Sequence, residues 1–353
     1  MKYSIIVPVY NRPDEVDELL QSLTEQELKD FEVVIVEDGS QKPCKDVCDK
    51  FANILDLHYY VKENGGPGQA RNYGAERAHG EWLIILDSDV VLPKGYLKAV
   101  EDGLRGERKE ERGEFAAFGG PDASHPSFTP VQKAISYSMT SFFTTGGIRG
   151  GKKKLDKFYP RSFNMGIRSD VYQQLGGFSK MRFGEDIDFS YRIVEAGYNP
   201  QLIPDAWVWH KRRTDFRKFF RQVYNSGIAR INLEKRHPGT LKLVHLLPMV
   251  FTVGVIALIL IAAVARAMIH YDAPNWHTWY WICLLALSPI ILYSLIIFTD
   301  SSIKNKSLKV GLLSVPAAFV QLMGYGFGFI ESWWKRCVMK KDEFQAFEKN
   351  FYK

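Results

Sequence analysis

The chain has 353 residues, 46% of them hydrophobic and 24% charged, and a formal net charge of +6. At about 100–200 residues per domain that length suggests two modules. The average composition excludes a disordered, collagen-like or disulfide-scaffold protein. Four scattered cysteines, Cys44, Cys48, Cys283 and Cys337, do not make a secreted framework. Cys44 and Cys48 sit four apart, as on one helix face, where ordinary packing accounts for them.

Ser4-Ile5-Ile6-Val7-Pro8-Val9-Tyr10 reads as a buried parallel strand, a short β-branched run without alternation. Residues 13–23 follow with early acidic residues and with Val16, Leu19, Leu20 and Leu23 at helical spacing. A second strand is expected over 31–36, ending in Glu37-Asp38-Gly39-Ser40. A third, over 57–61, precedes the turn Asn64-Gly65-Gly66-Pro67-Gly68 and a helix through Ala78. A fourth, over 82–86, ends in Asp87-Ser88-Asp89. Strands alternating with helices predict a doubly wound α/β sheet, whose ligands lie outside the carboxyl ends of the strands. Asn11, Asp38, Asp87 and Asp89 fall at those ends.

Further along, 115–118 reads as a strand and 130–143 as a helix. The Gly- and Lys-rich stretch 148–161, with Lys152-Lys153-Lys154, reads as a loop. A helix is expected over 185–196 and a basic amphipathic helix over 216–233. Charge-free stretches then run over 243–265, 273–299 (with the apolar segment near 279–299) and 310–330. Each reaches the roughly 18–20 residues that cross a hydrocarbon core. Residues 241–353 carry five more basic than acidic residues and the first 240 only one more, so the basic excess points to anionic lipid and not to nucleic acid. The short apolar run after Met1-Lys2-Tyr3, broken at Pro8, does not read as a signal peptide, so residues 1–240 are expected to stay in the cytoplasm.

Asp87-Ser88-Asp89 at a strand end offers hard oxygen ligands for Mg²⁺ or Mn²⁺, although a lone D-x-D is commonly a solvated turn. Val7-Pro8-Val9-Tyr10-Asn11, Glu37-Asp38-Gly39-Ser40 and Arg71-Asn72 would meet it at one cleft. Together with Phe163-Asn164-Met165-Gly166, Gly176-Gly177-Phe178 and Gly184-Glu185-Asp186, this ordered succession resembles the family 2 glycosyltransferases over about residues 3–210. The resemblance implies a GT-A, Rossmann-like nucleotide-sugar-binding domain (1–240) followed by an α-helical membrane region (241–353). It places Pro8, Tyr10, Asn11, Asp38, Arg71, Asp87 and Ser88 around the donor, Asp89 and His210 on a divalent metal, and Asp186, with Glu185 beside it, as the base of an inverting transfer. An acceptor hydroxyl needs such a carboxylate, and the charge of Glu185 would raise the Asp186 pKa by repulsion. The plainer reading of Glu185-Asp186 is an acidic first helical turn.

Arg221-Gln222-Val223-Tyr224-Asn225-Ser226-Gly227 lacks the Q-x-x-R-W of processive synthases, so a non-processive enzyme is expected. No G-x-G-x-x-G follows the first strand, which weighs against a redox enzyme. A nucleotide-binding subunit of a transport or assembly complex is the alternative, disfavoured because the three apolar stretches lack acidic residues. Asp89 and Asp186 together speak against an inactive sugar-binding module. The expectation is a multi-pass protein of the inner (cytoplasmic) membrane that moves a sugar from a nucleotide-sugar to a lipid-linked or membrane-associated acceptor, with 216–233 on the inner leaflet. Gly324 and Gly328 suit close helix packing. Lys304, Lys306 and Lys309 place the loop before the third stretch inside. For that stretch, length favours crossing and the basic tail beyond it favours re-entry; crossing is expected.

Overall fold

The computed structural model describes residues 1–106, 114–125, 127–146, 158–181, 183–271 and 274–343. The lysine run 152–154 lies outside them. In chain order the elements are β1 (Tyr3–Val9), α1 (Pro13–Thr24), β2 (Phe31–Asp38), α2 (Lys45–Phe51), β3 (Asp56–Lys62), α3 (Pro67–Ala75), β4 (Trp82–Leu86), β5 (Val90–Val91), α4 (Tyr96–Arg105), β6 (Ala117–Gly119) and β7 (Asp122–Ala123). There follow α5 (Pro130–Thr140), α6 (Phe142–Thr145), β8 (Asn164–Arg168), α7 (Ser169–Gln174), α8 (Glu185–Glu195), β9 (Gln201–Leu202) and β10 (Val208–His210), then α9 (Phe216–Arg236), α10 (Leu247–His270), α11 (Trp276–Asn305) and α12 (Leu308–Trp333). Two compact units result: Met1–Pro126 with Lys152–Lys211, and Ser127–Gly151 with Arg212–Lys353.

In the first unit the described strands form a seven-stranded sheet, β3-β2-β1-β4-β8-β6-β9, and a three-stranded one, β5-β10-β7. β1 is buried along nearly its whole length because helices cover both faces, which is why its sequence shows no alternation. Ile5, Val7 and Val9 join Val16, Leu19, Leu20, Leu23, Tyr96 and Leu97 on one face. Ile6 joins Ala70, Val171, Phe189 and Ile193 on the other. Truncating a buried leucine such as Leu20 to alanine would cost about 2–5 kcal/mol.

The parallel pattern of a doubly wound sheet runs through β3-β2-β1-β4 and returns in the β6–β9 pair. β8 runs antiparallel to both β4 and β6, so the other half of the sheet is mixed. Pairing of β1 with β4 covers only Tyr3–Ile6, whereas β1 stays with β2 as far as Val9. The two central strands thus part company at their carboxyl ends, and Pro8, which lacks an N–H, sits where no β4 partner asks for one. This is a crevice at a topological switch point.

The second unit contains three helical stretches long and apolar enough to cross a membrane, Leu243–His270, Trp276–Asn305 and Leu308–Val338. α5 belongs to it too: Ile135 and Met139 pack with Phe219 and Val223 of α9, and Ala134 packs with Val310 and Ala317 of α12. The helix expected over 130–143 breaks at Ser141 (φ −67°, ψ 142°), which caps α6.

Candidate active site

Local chain geometry collects the polar residues at the crevice. β4 delivers Asp87, Ser88 and Asp89 into a turn closed by Val90 N–H to the Asp87 carbonyl (3.3 Å), with all three side chains half-buried. β10 pairs antiparallel with β5 so that His210 lies opposite Val90. This register, and not sequence proximity, brings the imidazole to Asp89: Nε2 lies 3.1 Å from Asp89 Oδ1. Phe163 stacks on the ring at 4.9 Å, and Asp122 Oδ2 is 3.9 Å from Nδ1. One ligand atom each from Asp87, Asp89 and His210 lie within 4.8 Å of one another. Two carboxylates and an imidazole suit a divalent ion such as Mn²⁺ or Mg²⁺, so Asp87 joins this group besides the expected Asp89 and His210.

Arg71, on α3 and almost fully buried, is the hinge of the charge network. Its Nη2 donates to Asp87 Oδ1 (2.7 Å), its Nη1 donates to Glu185 Oε1 (2.9 Å), and Phe178 lies under the guanidinium at 5.2 Å. Glu185 and Asp186 open α8 after Gly184, whose φ of +83° suits glycine. Arg161 Nε donates to Asp186 Oδ2 at 2.5 Å, and the Ile187 N–H donates to Oδ1 at 2.9 Å.

The electrostatics of this pair reverse the expected direction. Burial pushes the Glu185 carboxyl up to about 7, against the pull of Arg71 and with the Asp186 charge adding to the rise. Asp186 is buried too, yet the Arg161 guanidinium, with Arg71 behind it, holds its carboxyl below the usual range. Repulsion between the two therefore falls on Glu185. Arg161, which sequence reasoning missed, decides this.

Asn11 and Asp38 hold backbone. Asn11, at φ 56°, accepts from Gln41 N–H (2.8 Å) and Lys42 N–H (2.9 Å), while its own N–H donates to Ser40 Oγ, tying the loop after β1 to the loop after β2. The buried Asp38 carboxylate accepts from Gly65 N–H (2.9 Å), Gly66 N–H (2.8 Å) and Lys62 Nζ (2.7 Å), which fixes the glycine turn before α3. Pro8 and Tyr10 are half-buried at the end of β1. Asn164 braces the floor, accepting from Tyr96 OH (2.6 Å) and donating to the Ala206 carbonyl (2.8 Å).

The sequence matches glycosyl transferase family 2 over residues 4–110 and glycosyl transferase family group 2 over residues 82–298. The chain belongs to the family 2 glycosyltransferases. The poly(ribitol-phosphate) β-N-acetylglucosaminyltransferase TarS of Staphylococcus aureus is 40% identical over 102 residues, 28% of this chain and only 18% of that protein's length. Glycosyltransferase AglE of Haloferax volcanii is 26% identical over 240 residues, 65% of this chain and 73% of AglE. In fold, this family 2 glycosyltransferase is similar to the mannosyltransferase PcManGT of Pyrobaculum calidifontis, solved with GDP-Man and Mn²⁺. The TM-score is 0.56 at 15% identity, over 95% of this chain and 88% of that one.

Proposed function

We propose that this glycosyltransferase moves one sugar at a time, with inversion, from a nucleotide-sugar to a lipid-linked acceptor at the cytoplasmic face of the membrane. The observation that carries the reading is the convergence of Asp87, Asp89 and His210 with the Arg71–Glu185–Asp186–Arg161 network at the β1/β4 crevice. Asp87, Asp89 and His210 would hold Mg²⁺ or Mn²⁺, which supplies charge neutralisation for a leaving diphosphate. Pro8, Tyr10 and Ser88 frame the donor directly, while Asn11 and Asp38 shape the loops that receive it. Arg71 holds Asp87 and Glu185 in place across the crevice. Asp186 takes the acceptor proton once Arg161 moves off it, and the neighbouring Glu185 charge strengthens it as a base. The N-acetylglucosaminyl transfer for which TarS is named and the GDP-Man bound by PcManGT support this class of substrate. Incubating membranes that contain the protein with a panel of nucleotide-sugars and measuring nucleoside diphosphate release tests it. No release from any donor would favour a nucleotide-binding subunit of a transport or assembly complex.

The proposed membrane arrangement is a two-helix hairpin, α10 and α11, with α12 lying along the cytoplasmic interface instead of crossing. On α12, Ser314 Oγ meets Ser301 Oγ of α11 at 2.7 Å, and Ala318 packs on Ile297. Farther along, Phe319 meets Phe251 of α10 (ring centroids 5.6 Å) and Tyr293 of α11 (5.7 Å), and Thr252 Oγ1 donates to the Leu322 carbonyl (3.5 Å). These contacts fall near the start of α10 and the end of α11, and both ends of an antiparallel hairpin lie on one side. α12 then runs on beside α9: Ser332 Oγ donates to the Ile228 carbonyl (3.2 Å), and methyl groups at Gly227 and Gly328 would overlap the Tyr325 and Tyr224 carbonyl oxygens. α9 carries Arg217, Lys218, Arg221, Arg230, Lys235 and Arg236. Each such charge costs about 2.5–3.5 kcal/mol or more at the bilayer centre, so the shared face of α9 and α12 belongs at the headgroups. Lys304, Lys306, Lys335, Arg336 and Lys340 then lie inside, as the positive-inside rule asks.

A further inference from the structure

A second constellation of metal-ligating side chains lies at the opposite, amino-terminal edge of the sheet. Glu32 near the start of β2 is the register partner of Asp56 at the start of β3, which sets two carboxylates side by side on adjacent parallel strands. Like charges so placed repel. His58, two residues on from Asp56, shares its face of the strand by the period of two. Its Nε2 lies 3.1 Å from Asp56 Oδ1 and 3.4 Å from Glu32 Oε2. His79, in the turn between α3 and β4, brings Nδ1 to 3.1 Å from the same Glu32 oxygen. The other Glu32 oxygen is fixed by Ser4 Oγ (2.5 Å) and the His79 N–H (2.6 Å), which orients the carboxylate.

We propose that Glu32, Asp56 and His58 form a zinc-binding site, which the exposed His79, already on Glu32, completes by turning its ring onto the ion. Ligand atoms at 2.0–2.1 Å around a tetrahedral zinc ion are about 3.3 Å apart, and His58 Nε2 lies at 3.1 Å from Asp56 Oδ1 and 3.4 Å from Glu32 Oε2, close to that edge. One ligand atom each from Glu32, Asp56 and His58 lie within 4.8 Å of one another. Two imidazoles with two carboxylates favour zinc over Mg²⁺. The Glu32 side chain is 1% exposed and His79 72% exposed, so the site is anchored in the sheet and open to an arriving ion. The ion would clamp the starts of β2 and β3 to the turn before β4, at the sheet edge away from the crevice. Its role is thus structural support of the nucleotide-binding half, separate from the chemistry at Asp89.

The experiment uses the full-length, tag-free chain in detergent, with His210→Ala to silence the crevice. Zinc is titrated in competition with a chromophoric chelator, and Tm is followed with and without zinc. The parent should bind one zinc ion per chain and gain Tm on binding. Adding His58→Gln should weaken binding at least tenfold and abolish the gain while leaving the zinc-free Tm near the parent's, because His58 is partly exposed. His79→Gln, more exposed still, should act in the same direction. Absence of zinc binding by the parent, or unchanged affinity and stoichiometry in both variants, would overturn the proposal and leave the cluster as hydrogen-bonded ion pairs.

Discussion

Arg161 and Asp186 form an ion pair, Nε to Oδ2 at 2.5 Å, so the proposed base is held in its charged form by a partner on the segment leading into β8. Asp186→Asn should lower turnover by roughly 10²–10⁴, the usual share of general base catalysis, with the KM for donor near wild type. Steady-state kinetics check this; an unchanged kcat would shift the role to Glu185. Arg161→Ala should free the carboxylate but leave it poorly oriented, and a fall in kcat without loss of donor affinity is expected.

Glu185 supplies the pH dependence. Its carboxyl is pushed up to about 7 by burial, so it ionises as the pH rises through 7, and the new charge makes Asp186 a stronger base. The kcat should therefore rise through about pH 7, and the inflection should vanish in Glu185→Gln. The stability sign follows from the same shift. A carboxyl whose folded pKa is raised contributes stability that is fully present below its unfolded value near 4.5 and is lost as the pH climbs through 7. Wild type should accordingly lose Tm relative to Glu185→Gln between about pH 5 and 8. A parallel pair of Tm curves would contradict this.

Asp89 and His210 face each other across the β5–β10 pairing. Asp89→Ala should abolish Mn²⁺-dependent donor binding, measured by calorimetry, with Tm little changed because the side chain is half-buried at a turn. His210→Ala should weaken metal dependence about 10–100-fold if the imidazole is a ligand or its support. Donor binding unaffected by either change, or by chelator, would remove the metal from the reading.

The arrangement of α12 has a direct test. A cysteine placed at Lys341 should resist membrane-impermeant labelling from outside intact cells and react after permeabilisation. Labelling from outside would mean that α12 crosses.

How much was legible depended on whether the information was local. The strand around Pro8, the turn after β4 and the acidic start of α8 are contiguous, so their periodicity and residue types betray them. His210 could be tied to Asp89 only through the family's pattern, because the pairing of β10 with β5 has no local signature. Arg161 was missed for the same reason: nothing near it in sequence announces that it lies on Asp186. The Glu32–Asp56–His58 cluster arises from cross-strand register, which a strand's own residues do not encode, although His58 two positions after Asp56 was a hint. The path of α12 is open to both readings in the sequence because length alone cannot tell a span from a helix whose small residues receive α9. The mixed half of the sheet followed from β8, a short strand without a flanking turn signal.

The second unit takes its residues from two places in the chain, 127–151 and everything from 212 onward. Cutting the polypeptide after residue 240 therefore does not yield a clean catalytic fragment. α5 would remain, joined through the chain at both ends to the first unit, with Ala134 and its neighbours deprived of Val310 and Ala317. Such a truncation should aggregate or cling to detergent even though none of its described helices is long and apolar enough to cross a membrane. In expression and evolution alike, the helices from α10 onward are then a co-folding partner, and soluble relatives would have to differ at α5 as well as at the tail.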